Sequence, residues 1–311
     1  MFSNIEKLLN IKRYLNKTLF KTPGVEYLKK NYSFKERKKK HINFWMTRAS
    51  KNGGLNKYFF KSNNEDLSKD LSNYTYDVKN KFDISNEMFE VLSKSGLLII
   101  ENALPEDERE KVINLFNELK FKDYSNVWES KPTCFFRETT EINIGKLKID
   151  DFKFLKRYSD QATKEIFNKV TEPSIELHYL KLKNLAIENT NIKGETFIHS
   201  DRFIPHFKMF YTPYEIGEDD APFQYALGSH KVTPDYLDFF LNAKSFDETD
   251  IESKKLIKNI VSVKAKKNSL YIAFTNGLHR RSPFKKISEK KERNMMFFQY
   301  VERFNKFNYL F

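Results

Sequence analysis

The 311-residue sequence has very little of several residues that mark particular classes of protein. A single cysteine, Cys134, excludes an internal disulfide and a thiolate zinc site of the CxxC type. Only 9 Gly and 9 Pro exclude a collagen-like or low-complexity chain. No apolar run approaches the roughly 20 residues of a membrane span, and lysines interrupt the N-terminal segment where a secretory signal needs an apolar core. We therefore expect a cytoplasmic protein.

Aromatic and apolar residues, in contrast, are abundant. Hydrophobic residues make up 40% of the chain and aromatic residues 15%, including 30 Phe and 16 Tyr. A chain of this length and composition can bury a full hydrophobic core. We expect a packed domain over residues 61–311, preceded by a separate extension over residues 1–60.

Positive charge is concentrated in that extension. Residues 1–60 contain 15 Lys and Arg against 3 Glu, whereas the remaining 251 residues carry 40 basic and 39 acidic side chains. The body is therefore electrically balanced. Because the extension has no recognised nucleic-acid-binding motif and no regular aromatic interleaving, we expect no specific nucleic-acid partner.

The extension is predicted to contain an amphipathic basic helix. Apolar residues recur at helical spacing from Ile5 to Leu19, with lysines on the other faces, and Pro23-Gly24 ends the pattern. Such a helix either docks on its own protein or lies on an anionic membrane surface. One predicted partner is thus an anionic membrane, contacted peripherally through residues 1–40. Compositional bias is a further alternative, since 44 of the 55 basic residues are Lys.

The body is predicted to be α+β and mainly β. Helical periodicity covers Asn86–Ser95 and 105–120, with a short apolar strand at 97–102 between them. A third helix is predicted within 150–170, and a helical insertion at about 233–259. Four later runs with β-branched and aromatic bias predict a sheet core: IELHYLKLKNLAIEN, HFKMFYTPYEI, NSLYIAFTN and NMMFFQYVERF.

The segment TFIHSDRF places His199 and Asp201 two residues apart in an apolar and aromatic stretch. Side chains at positions i and i+2 of a strand point the same way, so both can grip one metal ion. A redox-active iron(II) site takes two imidazoles and one carboxylate and keeps positions open. His279, which follows the strand-like run SLYIAF, is the candidate third ligand. The alternative for an isolated His-x-Asp pair is a polar surface turn.

An arginine beyond this histidine is a candidate anion-binding residue. Arg293 precedes the apolar run MMFFQYV, and its planar guanidinium matches a carboxylate through two hydrogen bonds. The carboxylate of 2-oxoglutarate would be such a partner. Arg280 and Arg281 are rival anchors, and a solvated strand edge is the alternative for Arg293. His230, in the segment GSHK, is interpreted as fixing a turn.

Four ordered segments resemble the phytanoyl-CoA dioxygenase family of iron(II)- and 2-oxoglutarate-dependent oxygenases, over residues 96–311. They are GLLIIENALPEDER, FIHSDRFIPHFKMFYTPYEI, DDAPFQYALGSHK and NSLYIAFTNGLHRRS. The resemblance implies a double-stranded β-helix (a jelly-roll, cupin-like core) with flanking N-terminal helices. It also implies that His199, Asp201 and His279 bind Fe(II) and that Arg293 pairs with 2-oxoglutarate. The longer gap before Arg293 departs from the family pattern.

The resemblance implies a dioxygenase that uses O2 and 2-oxoglutarate to hydroxylate an unactivated C–H bond, releasing succinate and CO2. Related halogenases have Ala or Gly in place of the carboxylate, so Asp201 favours hydroxylation. The expected substrate is a small organic or lipid-like molecule. The alternative is a non-catalytic double-stranded β-helix that binds a small molecule or associates with membranes.

Overall fold

A computed structural model describes the body of the chain. The described residues are 67–120, 128–129, 134–139, 161, 164, 175–186, 198–201, 206–231, 233, 259–282 and 292–302, together with 33, 36 and 39. The predicted N-terminal helix and the boundary near residue 60 lie outside these residues, and so do nearly all of the helix within 150–170 and of the insertion at 233–259.

The described residues form eleven β-strands, most of them from the second half of the chain. In chain order they are β1 (Thr75–Asp77), β2 (Leu97–Glu101), β3 (Trp128–Glu129), β4 (Cys134–Thr139), β5 (Ile175–Ala186), β6 (Phe207–Thr212), β7 (Phe223–Ala226), β8 (Ile260–Val263), β9 (Ser269–Phe274), β10 (His279–Arg281) and β11 (Glu292–Glu302). β-Branched and aromatic residues are frequent in several of these segments, such as FKMFYT, IVSV and SLYIAF, as is typical of strands.

The larger sheet contains eight of these strands in the order β1-β2-β9-β6-β11-β5-β4-β3. Its strands pair antiparallel except for β1 and β2, which are parallel. All six residues of β9 are buried, which fits its place between β2 and β6. The smaller sheet has the order β10-β7-β8, and an isolated bridge joins His199 to His279 at its β10 edge.

The two sheets face each other across a shared hydrophobic core. Tyr271 of β9 and Met295 of β11 belong to the same buried cluster as Phe223 and Tyr225 of β7 and Val263 of β8. The chain from β6 onward crosses between the sheets repeatedly, which is the antiparallel arrangement of a jelly roll. This arrangement confirms the expected mainly β core.

The described part of the chain contains two α-helices that flank β2 in sequence: α1 (Asn86–Ser95) and α2 (Glu106–Lys120). The Ser85 hydroxyl accepts a hydrogen bond from the Met88 amide at the start of α1, and Gly96 ends the helix with a φ of 80°. These are standard helix start and stop signals. The buried face of α1, which includes Phe89 and Leu92, packs next to β2.

Both helices were predicted from the sequence, and so were β5, β6, β9 and β11, which correspond to the four apolar runs. All of them are confirmed within a few residues. The strands of the smaller sheet were not predicted, because three or four residues are too short to show a clear alternation. None of the helices in the described part of the chain is long and apolar enough to cross a membrane.

Candidate metal centre

The candidate metal ligands lie where two chain segments meet at the edge of the smaller sheet. The backbone amides and carbonyls of His199 and His279 exchange hydrogen bonds of 2.9 Å in both directions. The Asp201 amide donates to the Thr275 carbonyl at 2.9 Å, and the Ser200 hydroxyl donates to the Asn276 carbonyl at 2.8 Å. Segment 199–201 is therefore fixed against the turn that joins β9 to β10.

This pairing brings the three predicted side chains together. One ligand atom from each of His199, Asp201 and His279 lies within 4.8 Å of the other two. The Oδ1 atom of Asp201 is 3.9 Å from Nε2 of His199 and 3.7 Å from Nε2 of His279. All three side chains are largely withdrawn from solvent, with exposures of 19%, 18% and 5%. Two nitrogens and one carboxylate oxygen thus face a common point.

The imidazole of His279 is oriented by the backbone. Its Nδ1 lies 2.9 Å from the Gly277 carbonyl, which can only accept a hydrogen bond, so Nδ1 carries the proton and Nε2 presents its lone pair. Burial, the largest cause, lowers the pKa of His279 to about 3, although the Asp201 charge opposes it. The imidazole is therefore neutral at neutral pH, the form that binds a metal ion.

The second oxygen of the Asp201 carboxylate, Oδ2, contacts two other side chains. The Lys208 ammonium lies 2.7 Å from Oδ2, and Nδ1 of His206 lies 3.3 Å from the same atom. Burial raises the pKa of Asp201, but the charge of Lys208 and the interactions with His279 and His206 outweigh it, so the pKa lies well below its usual range. Asp201 is ionised at neutral pH, as a metal ligand requires.

His206 links this carboxylate to the backbone scaffold. Its Nδ1 is 2.7 Å from the Thr275 hydroxyl, and its own carbonyl accepts a 2.7 Å hydrogen bond from the Thr275 amide. His206 is only 1% exposed. It therefore supports the position of Asp201 from within the protein, on the side away from the two imidazoles.

The turn before His279 requires glycine. A Cβ atom at Gly277 would collide with the hydroxyl of Tyr225 and approach the backbone nitrogen of His230 to 3.0 Å. The Tyr225 hydroxyl donates to the Phe274 carbonyl at 2.9 Å, so it is not free to move away. The close packing of this turn fixes where β10 begins and therefore where His279 lies.

Aromatic rings pack between the two sheets and form a wall beside His279. The Phe223 ring lies 5.5 Å from the His279 ring, 5.1 Å from that of Phe210 and 5.7 Å from that of Tyr271. Phe210 and Tyr271 stack at 4.8 Å. The wall next to the candidate metal centre is thus largely apolar, which restricts water there.

The candidate arginines lie on different strands. Arg281 is 6% exposed and shares the buried face of β10 with His279, because residues two apart on a strand point the same way. Arg280, between them, is half-buried and donates from Nε to Gln224. Arg293 lies on β11, where its backbone pairs with Leu185, two residues before the buried Met295.

His230 lies in the turn after β7, as predicted, and takes no part in the ligand group. It is fully buried, and its Nε2 is 3.1 Å from the Ser93 carbonyl. Lys208 was missed by the sequence reasoning. Its sequence signal is a lysine within the apolar strand FKMFYT. This lysine lies two residues before Phe210 and therefore on the same face of the strand.

The donor set fits a divalent transition metal. Two neutral imidazoles and one carboxylate on one side of a site leave further coordination positions open, the arrangement of non-heme iron(II) oxygenases. The ligand atoms are slightly farther apart than in a metal-bound site, where each bond is about 2.0–2.2 Å long. Small side-chain rotations would close this difference.

Comparison with known proteins agrees with the fold. No family model matches the chain, and no curated protein matches its sequence. Among solved structures, the epimerase SnoN in complex with Fe3+, alpha-ketoglutarate (2-oxoglutarate) and nogalamycin RO is 14% identical, with a TM-score of 0.51 over 68% of this chain and 81% of that chain.

Two further structures are similar to this chain. A second structure of SnoN, the non-heme alpha-ketoglutarate-dependent epimerase from nogalamycin biosynthesis, is 13% identical over the same 68% of this chain and 81% of that chain, with a TM-score of 0.51. HygX from Streptomyces hygroscopicus, with nickel and 2-oxoglutarate bound, is 14% identical over 71% of this chain and 88% of that chain, with a TM-score of 0.48. At such identities, the likeness to SnoN shows a shared fold.

Proposed function

We propose that this protein is an Fe(II)- and 2-oxoglutarate-dependent oxygenase in which His199, Asp201 and His279 hold the iron. One observation carries the proposal: Nε2 of both histidines and Oδ1 of Asp201 face one point, with ligand atoms within 4.8 Å of one another. The similarity of the fold to SnoN, which was crystallised with Fe3+ and alpha-ketoglutarate, supports it. The quoted motifs resemble the phytanoyl-CoA dioxygenase family, and this resemblance supports that branch of the class for the proposal.

The protein's own contribution is to hold the ligands in their binding forms. The Gly277 carbonyl keeps the proton of His279 on Nδ1, and Lys208 with His206 keeps Asp201 ionised and oriented. Bound iron with 2-oxoglutarate supplies the oxidation of a C–H bond by O2, which no amino-acid side chain can perform. The carboxylate ligand favours hydroxylation of the substrate, with succinate and CO2 as the other products.

The cosubstrate needs a cation for its distal carboxylate. We propose Arg293 for this contact, because its position before the last strand matches the order of motifs in the family that the chain resembles. A guanidinium binds a carboxylate through two parallel hydrogen bonds. The buried Arg281 is the rival for the same contact, on the face of β10 that carries His279.

The primary substrate is proposed to be a small organic or lipid-like molecule. The aromatic wall formed by Phe210, Phe223 and Tyr271 next to the ligands suits an apolar group rather than a charged one. This wall supports an apolar C–H bond as the one presented to the iron.

Succinate formation tests the proposed function directly. Purified protein given Fe(II), ascorbate, 2-oxoglutarate and O2 should form succinate, at least slowly without the primary substrate, whereas Asp201→Ala should form none. The matched control is His230→Gln, a change at a buried histidine outside the ligand group. Binding of metal and 2-oxoglutarate without any succinate, with a panel of candidate substrates included, would favour a non-catalytic binding protein.

A further inference from the structure

Lys208 is a charged residue on the inner face of the larger sheet. Residues 207–212 of β6 alternate between its two faces, so Lys208 lies on the same side as Phe210. The Phe210 ring stacks on Tyr271 and lies 5.1 Å from Phe223 of the opposite sheet, which identifies this side as the interior. The Lys208 side chain is only 16% exposed. A lysine in this position needs a buried partner.

Its partner is the outer oxygen of the candidate metal carboxylate. The Lys208 ammonium is 2.7 Å from Oδ2 of Asp201, while Oδ1 is 3.7 Å from Nε2 of His279 and 3.9 Å from Nε2 of His199. The two oxygens of the Asp201 carboxylate therefore face different groups. A metal ion bound between Oδ1 and the imidazoles would leave the contact with Lys208 in place.

The charge of Lys208 changes what the centre can bind. Two neutral imidazoles, one carboxylate and a divalent ion together carry one positive charge, and Lys208 adds a second. Charges in a buried site interact strongly because little water screens them. A centre with this surplus of positive charge attracts a dianion such as 2-oxoglutarate and repels a further cation.

We propose that Lys208 is the counter-ion and positioning residue of Asp201, and that its ammonium also strengthens binding of the dianionic cosubstrate. The inference rests on the proposed metal site. In the metal-free protein, Lys208 neutralises the buried carboxylate and turns Oδ1 towards the two imidazoles. With a metal ion bound, Lys208 would stay on Oδ2 and leave Oδ1 for the ion.

If Lys208 has this role, removing its charge should increase the stabilisation by a metal ion and weaken the binding of 2-oxoglutarate. In Lys208→Met, the metal-free protein keeps a buried carboxylate that has lost its closest cation, so its stability falls. A divalent ion then supplies the missing charge and no longer meets the repulsion of an ammonium nearby. Metal binding should therefore stabilise the variant more than the wild type, whereas 2-oxoglutarate should bind more weakly.

The experiment compares the wild type with Lys208→Met, Lys208→Arg and a surface control, Lys264→Met, whose side chain is 55% exposed and contacts Glu218. Thermal unfolding is measured with and without Co(II). Calorimetry under argon gives the dissociation constants of Co(II) and then of 2-oxoglutarate on the Co(II)-loaded protein. The absorption spectrum of bound Co(II) reports its coordination number.

In Lys208→Met, we expect a lower melting temperature without metal, a larger rise on adding Co(II), an equal or tighter Co(II) dissociation constant, and 2-oxoglutarate binding weaker by about tenfold, because one nearby positive charge is lost. Lys208→Arg should keep the affinity for 2-oxoglutarate within a few-fold, because it keeps the charge. The Co(II) spectrum of Lys208→Met should change if Asp201 then binds through both oxygens. Lys264→Met should match the wild type in every measurement.

Two results would overturn the role of Lys208 alone. One is a Lys208→Met protein that binds Co(II) and 2-oxoglutarate like the wild type. The other is a variant that loses both affinities and is destabilised equally with and without metal, which would indicate a merely structural residue. A wild-type protein that binds no divalent metal ion would instead overturn the proposed function, and this inference with it.

Discussion

His199 and His279, which are far apart in the sequence, form a two-way backbone bridge with hydrogen bonds of 2.9 Å, and their rings lie 4.5 Å apart. The bridge fixes the register between the two chain segments that carry the ligands. Because both residues belong to paired backbone, the fold itself brings their imidazoles together. The candidate centre is therefore largely preorganised.

Loss of any ligand should abolish stabilisation by metal. A ligand that binds only the folded state adds about 2.7 kcal/mol to stability at a concentration of 100 times its dissociation constant. We expect Co(II) to raise the melting temperature of the wild type but not that of Asp201→Ala or His279→Ala. His230→Gln should keep the shift relative to its own baseline. An unchanged Co(II) shift in Asp201→Ala would show that the metal binds elsewhere.

Measurements of 2-oxoglutarate binding distinguish between the two candidate arginines, Arg293 and Arg281. Truncating one partner of a buried charge pair typically costs about 2–5 kcal/mol, which corresponds to a loss of affinity of at least about 30-fold. Arg293→Ala should weaken 2-oxoglutarate binding to the Co(II)-loaded protein by this amount and leave Co(II) binding nearly unchanged. If Arg281→Ala has this effect and Arg293→Ala does not, Arg281 is the anchor.

Stability should fall in mild acid partly because of His230. Burial, assisted by the charge of Lys231, lowers the pKa of His230 to about 3, from an ordinary value of 6.5. Below pH 6.5 His230 is protonated in the unfolded chain but stays neutral in the folded protein. The free energy of unfolding therefore decreases as the pH falls towards 3. From pH 7 to pH 5 this residue alone should remove about 2 kcal/mol.

Urea unfolding of the metal-free protein between pH 7 and pH 5 measures this effect, with His230→Gln as the comparison. The variant starts from its own stability, and its free energy of unfolding should decrease less steeply with falling pH than that of the wild type. Parallel pH profiles of the two proteins would mean that His230 is protonated in the folded protein at these pH values.

The basic N-terminal segment should hold the protein at anionic membranes. Each Lys or Arg near an anionic bilayer contributes about 1 kcal/mol, and salt screens this attraction. The full-length protein should therefore sediment with anionic liposomes at low salt and be released at about 0.5 M salt. Protein lacking residues 1–40 should stay in the supernatant. Equal sedimentation of the two proteins would favour compositional bias or docking of the predicted helix on the body.

The sequence alone was sufficient to predict most of the larger sheet and to choose the candidate ligand residues. The apolar runs of β6, β9 and β11 are long enough for their pattern to be recognised. The His-x-Asp motif at 199–201 and the histidine that follows the run of β9 are also visible in the sequence. Metal chemistry restricts the choice further, since few residue types can bind iron. Each of these features taken singly is local in sequence, so one chain is enough to identify it.

The smaller sheet could not be predicted from the sequence. β7, β8 and β10 have only three or four residues each, and their stability comes from pairing with segments far along the chain. β8 follows directly on the region that was expected to form a helical insertion. Short strands depend on their neighbours more than on their own propensity.

Only the tertiary structure decided what surrounds Asp201. Lys208 and His206 follow it closely in sequence, yet nothing in their spacing indicates that both side chains meet Oδ2 while the imidazoles face Oδ1. That division depends on β6 pairing with β9 and on the turn at 275–277 pairing with segment 199–201. The sequence determined which atoms can bind a metal ion. The packing of distant segments determined the charge around them, because electrostatic interactions depend on distance in space and on burial.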